Sequence, residues 1–326
     1  MRNAMKFARM AAALSAFAPL AAAPPAAAQR YPEKNLRLIV PFPSGASQIL
    51  GILAAEKLTE ALGQPVVVDF RPGAGGTVGA EVAARSPNDG HTLLLTSVSL
   101  AIGPSIYKSL KFDPLRDFTP VTQIAAVPNV MVVHPSVPAK NLKELIQVAR
   151  AHPGKLSFGS GGVGSSNHLA SELFKSLAKV QIVHVPYKGA SIALTHILGG
   201  EIEMVVVTVP ATIPFITTGR LRGIAVLAPQ RVPALVGVPT TAESGMPELV
   251  VITWYGLFVP AGVRPDIVAR LNAEMNRILR TPEVRQALAR VEVDPAPSSP
   301  TEFSAFFRDE VGKWARVIRA ADIRVE

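Results

Sequence analysis

Short β-branched runs alternate with longer amphipathic runs along most of this chain, and that alternation admits few architectures. Leu36–Val40 and Val66–Val68 read as strands, with the helical run Ile49–Leu62 between them placing Leu50, Leu53, Ala54 and Leu58 on one face. A second helical run, Val78–Arg85, leads to the strand Thr92–Thr96. Strands separated by helices predict a parallel sheet with helices on its faces, since parallel neighbours need a long crossover. The pattern then repeats. Val130–Val133 is a strand, and Asn141–Ala151 a helix with Leu142, Leu145, Ile146 and Ala149 inward. Leu156–Phe158 ends a strand, and a helix from Ser166 carries Leu169, Leu173 and Phe174. Ile182–Val185, Ile202–Val207 and Gly223–Leu227 are strands, with the helix Ala190–Leu198 among them. Val251–Val259 is a strand containing Trp254 and Tyr255, and the helices Pro265–Leu279, Pro282–Ala289 and Phe303–Ala320 follow. The expected class is α/β with two lobes. Residues 29–130 and 251–326 form the first and 131–250 the second, the chain crossing near Val130 and returning near Val251.

Residues 1–28 are set apart as a secretory leader. Arg2, Lys6 and Arg9 precede the apolar run Ala11–Ala23, and Ala26-Ala27-Ala28 offers a small-residue cleavage site before Gln29. No later run reaches the ~18 apolar residues of a membrane helix. The chain has no cysteine, hence no disulfide and no lipid-bearing thiol, which fits a bacterial envelope protein. Loss of the leader's three basic residues lowers the formal charge from +9 to +6, a balance that favours anionic small molecules at long range. The basic residues form no stripe and aromatics are only 6% of the chain, which argues against nucleic acid.

The stretch LSFGSGGVGSSNHLASELF, Leu156–Phe174, joins a strand to a helix through a loop of glycine and serine. Such a loop presents unpaired backbone N–H groups at the positive end of a helix, a seat for carboxylate or phosphate. The alternative is a connector with no ligand. A phosphate-binding P-loop is excluded, because Ser165 and not Lys follows Gly164. A nucleophile elbow is excluded too, since Phe158 and Val163 stand where Ser160 and Ser165 would need glycine. Gly73-Ala74-Gly75-Gly76 fails as a dinucleotide fingerprint because Val78 occupies the third glycine position. His184 and His196 lie on different segments without a carboxylate at ligand spacing, so no metal and no cofactor is expected.

The chain resembles the Bug family, the periplasmic solute-binding proteins of tripartite tricarboxylate transporters. The resemblance rests on IVPFPSGAS (Ile39–Ser47), LGQPVVVDFRPGAGG (Leu62–Gly76), DPLRDFTPV (Asp113–Val121) and the Gly/Ser stretch. It continues through HVPYKGA (His184–Ala190), LGGEIEM (Leu198–Met204), GRLRGIAV (Gly219–Val226), VPTTAESGMP (Val238–Pro247) and WYGLFVPAG (Trp254–Gly262). It implies a type II periplasmic-binding-protein fold, no catalysis, and a ligand carboxylate held between two loops by backbone groups and waters. Carried over, one loop is Phe42, Pro43, Ser44, Gly45, Ala46, Ser47 and Gln48. The other is Ser160, Gly161, Gly162, Val163, Gly164, Ser165 and Ser166. Three departures lie nearby: Gln48 stands where the family commonly has Asp, His196 likewise, and Val205-Val206-Val207 replaces a run often carrying Asp. Val207 therefore joins the candidate site.

Single residues carry two readings each. Tyr187 lines the cleft or belongs to a turn. His168 orients the loop or is a neutral packed or capping residue, since a helix start disfavours its cation. Trp254 and Tyr255 default to core packing, with cleft lining as the alternative, and Lys188 is expected in solvent. The leading function is capture of a small carboxylate in the periplasm for the membrane subunits of a tripartite tricarboxylate transporter, by a monomer. The alternatives are a ligand-dependent partner of an envelope sensor, and an exported hydrolase using Ser160 or Ser165 with His168 or His184.

Overall fold

The computed structural model describes residues 31–320 and Ile323, and the leader expected over residues 1–28 lies outside them. The first strand β1, Leu36–Val40, leads through a short bend into helix α1, Gly45–Leu62, which ends at Gly63 in the left-handed region (φ 71°). Strand β2 (Val66–Phe70), helix α2 (Thr77–Ala84), strand β3 (Thr92–Ser97) and helix α3 (Ser99–Ile106) follow. β1 pairs in parallel with β2 on one side and β3 on the other. All six residues of β3 are buried, as expected of a strand covered by helices on both faces. Helix α3 was not anticipated, because Gly103 and Pro104 argue against a helix in sequence. Its apolar residues, Leu100, Ala101, Ile102 and Ile106, are buried, so packing overrides propensity there.

Strand β4, Phe118–Val133, is sixteen residues long and belongs to two sheets. Only its last four residues were legible as a strand, because Pro120 and Pro128 break the pattern. The ladder shifts register just after Pro120, and Pro128 is the last residue paired in the first sheet, so both prolines sit where a missing N–H is tolerated. Beyond β4 come α4 (Leu142–Ala151), β5 (Ser157–Ser160), α5 (Ser166–Ala178), β6 (Val183–Pro186), α6 (Ala190–Leu198), β7 (Met204–Thr208), α7 (Ile213–Thr217) and β8 (Arg222–Val226). The chain closes with β9 (Ile252–Pro260), α8 (Pro265–Arg280), α9 (Pro282–Ala289), β10 (Asp294–Pro295) and α10 (Pro300–Ala320). The first sheet runs β2-β1-β3-β9-β4-β10 and the second β6-β5-β7-β4-β8. Each sheet carries its own helices, giving two α/β lobes.

The two chain crossings are pinned to each other. The Asn129 amide donates to the Val251 carbonyl at 2.8 Å and to Thr253 Oγ1 at 2.9 Å, both buried. The default reading of Trp254 holds: its indole N–H donates at 2.9 Å to buried Glu310 on α10, which also accepts from Trp314 at 3.1 Å. Phe303 and Phe307 meet the Trp254 ring edge-on, 5.8 and 5.9 Å away, so α10 is clamped to β9 by one aromatic cluster.

Candidate ligand cleft

A cleft opens where the starts of three helices meet. Helix α1 begins at Gly45, four residues before the sequence pattern placed it, so Gly45, Ala46 and Ser47 form its first turn and not a preceding loop. Ser44 caps it with extended backbone (φ −158°, ψ 161°) but no side-chain hydrogen bond, which leaves first-turn N–H groups for another acceptor. Ser47 is 2% exposed, and its Oγ has no hydrogen-bond partner. Helix α5 starts at Ser166; its cap Ser165 accepts from the His168 N–H at 3.4 Å and donates to the Gly162 carbonyl at 2.6 Å. Helix α6 starts at Ala190 after Gly189 (φ 144°), again with no capping side chain. The three starts are close. A methyl built on Gly161 would lie 3.0 Å from the Ala190 nitrogen and 3.2 Å from Asn167 Oδ1, and one on Gly189 3.8 Å from Ser44 Oγ.

The wall combines these helix starts with strand ends. Ser97 comes from β3, Val207 and Thr208 from β7, and Thr253 and Tyr255 from β9. Phe42, Leu194 and Ala211 supply apolar surface, and the space between amounts to about 560 Å³ including its open mouth. No described side chain on this wall carries charge at neutral pH. Burial pushes the Tyr255 phenol well above its ordinary value, so it stays protonated.

Of the candidate residues, Phe42, Ser44, Gly45, Ala46, Ser47, Ser165, Ser166 and Val207 line the cleft. Pro43 is exposed beside it, and Gln48 is half-buried on α1, off the wall. Ser160, Gly161, Gly162, Val163 and Gly164 also stand off the wall. Ser160 is fully buried and its hydroxyl is hydrogen-bonded to His184 Nε2 at 2.7 Å. Gly162 (φ 114°) and Gly164 (φ 77°) bend the loop tip toward the other lobe, where the Tyr107 hydroxyl donates to the Val163 carbonyl. Tyr187 stacks on His196 with ring centroids 4.5 Å apart and is not on the wall either. Tyr255, read by default as core, is buried and does line the cleft. α6 spans the expected Ala190–Leu198; its start, Ala190 and Ser191, joins the cleft wall without having been named as a site, although Gly189 before an uncapped apolar run was a usable signal.

Behind the loop, His168 and His184 stack with centroids 4.2 Å apart, and His184 stacks on Phe158 at 4.7 Å. His168 Nδ1 accepts from the Gly164 N–H at 3.3 Å. Burial lowers His168 to about 3, helped by His184 and Lys175, and burial with Lys175 lowers His184 to about 4. Both are neutral packed groups; His168 also holds the loop through the Gly164 N–H, while Ser165 and not His168 caps α5, so the packed and the loop-orienting readings of His168 both describe it. Among the described residues no group of three or more His, Asp or Glu side chains gathers at metal-binding distance.

Two α/β lobes sharing a long strand, with a donor-rich cleft between them, define the periplasmic-binding-protein fold. The chain belongs to the family described as the tripartite tricarboxylate transporter family receptor, which matches residues 52–323. It is similar to Protein BugT of Bordetella pertussis, 36% identical over 99% of this chain and 100% of the relative. Among solved structures it is similar to R. palustris Rpa4515 with adipate, 33% identical with a TM-score of 0.86 over 90% of this chain and 99% of the other. MatC from Rhodopseudomonas palustris with bound malate is 28% identical, with a TM-score of 0.84 over 88% of this chain and 100% of that one.

Proposed function

We propose that this receptor captures a small carboxylate where α1, α5 and α6 begin, and delivers it from the periplasm to the membrane subunits of a tripartite transporter. The observation that carries this reading is the orphaned hydroxyl of Ser47, a buried residue of the cleft wall, between helix starts that lack side-chain caps. Hydroxyl and backbone donors at the positive ends of helix dipoles suit an anion, and the wall carries no acidic side chain to repel one. The carboxylates named for Rpa4515 and MatC support the same class of ligand. No described helix is long and apolar enough to cross a membrane, and a periplasmic location rests on the family and on the expected leader.

Calorimetry tests this with four- to eight-carbon and aromatic acids, each beside its primary amide, on protein unfolded and refolded to remove retained ligand. A bond to a charged acceptor contributes about 1.5–3 kcal/mol, so the acid should bind at least about tenfold more tightly than its amide. Equal affinities would overturn the carboxylate reading.

A further inference from the structure

We infer that the lobes carry a latch of their own: the Tyr107 hydroxyl and the Val163 carbonyl favour the closed cleft with no group supplied by the ligand. The wall then selects the ligand, and the latch sets how long it stays. Among the described residues this is the one hydrogen bond between the lobes that lies away from the crossing strands, where Asn129 holds Val251 and Thr253 Oγ1 meets Ser166 Oγ at 3.4 Å. Tyr107 and Val163 both stand off the cleft wall, so the bond forms between protein groups whatever the cleft contains.

Each half of the latch is held rigid inside its own lobe. In the second lobe the Gly162 N–H donates to Ser160 Oγ at 3.1 Å, and the Gly162 carbonyl accepts from the Ser165 N–H at 3.1 Å and the Ser165 hydroxyl at 2.6 Å. The Gly164 N–H is tied to His168 Nδ1. In the first lobe Tyr107 ends α3 with its N–H on the Gly103 carbonyl at 2.9 Å. Beside it Gly73, Ala74, Gly75 and Gly76 all have positive φ, and at Ala74 (φ 44°) that conformation is uncommon for a side-chain-bearing residue. This turn sets Gly75 against the Val163 carbonyl, where a Cβ would collide, and a Cβ on Gly164 would lie 3.0 Å from the Tyr107 ring. Preformed parts lose little freedom when they meet, so a single bond can shift the balance between open and closed forms. A bond present only in the closed form favours it by the same factor for every ligand, because the ligand is no party to it.

The test needs no ligand and therefore does not depend on the carboxylate reading. The chain has no cysteine, so Glu56→Cys and Thr195→Cys, exposed positions on α1 and α6 in opposite lobes, accept a pair of spin labels. Pulsed electron paramagnetic resonance on the labelled protein, unfolded and refolded to remove retained ligand, should show a short-distance population beside a longer one. Adding Tyr107→Phe should lower the ratio of short to long by about two- to tenfold, the worth of one neutral hydrogen bond. Gly75→Ala should lower it at least as far. The control is Tyr31→Phe, which removes a phenol-to-carbonyl bond, Tyr31 to Gly90 at 2.7 Å, within the first lobe alone; it should leave the ratio unchanged. The inference is overturned if the ligand-free parent has no short-distance population, if Tyr107→Phe leaves the ratio as it was, or if Tyr31→Phe lowers it equally.

Discussion

The Tyr107 phenol donates a 2.6 Å hydrogen bond to the backbone carbonyl of Val163. Tyr107 closes α3 beside the first sheet, and Val163 is the tip of the loop between β5 and α5 in the second, so this bond spans the two lobes. Desolvation raises the phenol to about 12, which keeps it a donor at any physiological pH. The contact lies outside the cleft wall.

Tyr107→Phe removes the donor and leaves the ring. A neutral hydrogen bond is worth about 0.5–1.5 kcal/mol, so ligand affinity should fall by about two- to tenfold with little change in fold. Calorimetry and circular dichroism together check this, and unchanged affinity would show that the bound state does not use the bond.

Gly75 meets the same carbonyl from the other side. Its φ is 59°, and a Cβ there would run into Val163 O. Gly75→Ala should therefore hold the lobes apart: small-angle scattering with a saturating carboxylate ligand should give a larger radius of gyration than the unmodified protein shows. Superimposable curves would mean that the loops need not touch for closure.

Ser47 separates two kinds of donor. Ser47→Ala should weaken carboxylate binding by about tenfold or more, since one charged-acceptor bond is lost while the helix start remains. Ser47→Asp should abolish it, because a fixed carboxylate would occupy the dipole end and repel the ligand. Thermal stability that survives in both variants ties the losses to binding.

The buried histidine pair predicts an acid-sensitive fold. His168 and His184 sit at about 3 and about 4, below the ordinary 6.5, so the folded state holds fewer protons than the unfolded chain between those values. Their contribution to stability is complete above pH 6.5 and is lost as pH falls toward 4. For His168, the more buried of the two, the slope reaches at most about 1.4 kcal/mol per pH unit. His184→Gln keeps a hydrogen-bonding partner for Ser160 and removes one titrating ring. The melting temperature of this variant should fall less between about pH 6 and pH 4 than that of the parent, and parallel curves would contradict the assignment.

Much of the fold could be read from periodicity. Pro282–Ala289 matches α9 at both ends, and the run Val251–Val259 finds β9 within one residue. The long strand β4 was hidden because prolines at its register shift and at its sheet crossing mimic loop chemistry. In the cleft, Ser44–Ser47 were legible from the turn residues before an apolar helix. Ser160–Gly164 were assigned to the ligand because a glycine loop that approaches a carboxylate and one that approaches another backbone have the same composition. Ser97, Thr253 and Tyr255 come from strands far apart in sequence, and only sheet order brings them to one wall.

That order also governs how the molecule can be assembled. β9 lies between β3 and β4 in the first sheet, so residues 252–260 must arrive before strands from the first 133 residues share a complete ladder. Until then β3 and β4 face each other across a missing strand, with β3 fully buried in the finished protein and unsheltered in the unfinished one. The first sheet's closing contacts, β3 with β9 and β4 with β9, are non-local, and such contacts are slow to form. Any truncation ahead of residue 260 therefore leaves β3 and β4 with exposed strand edges, a template for aggregation.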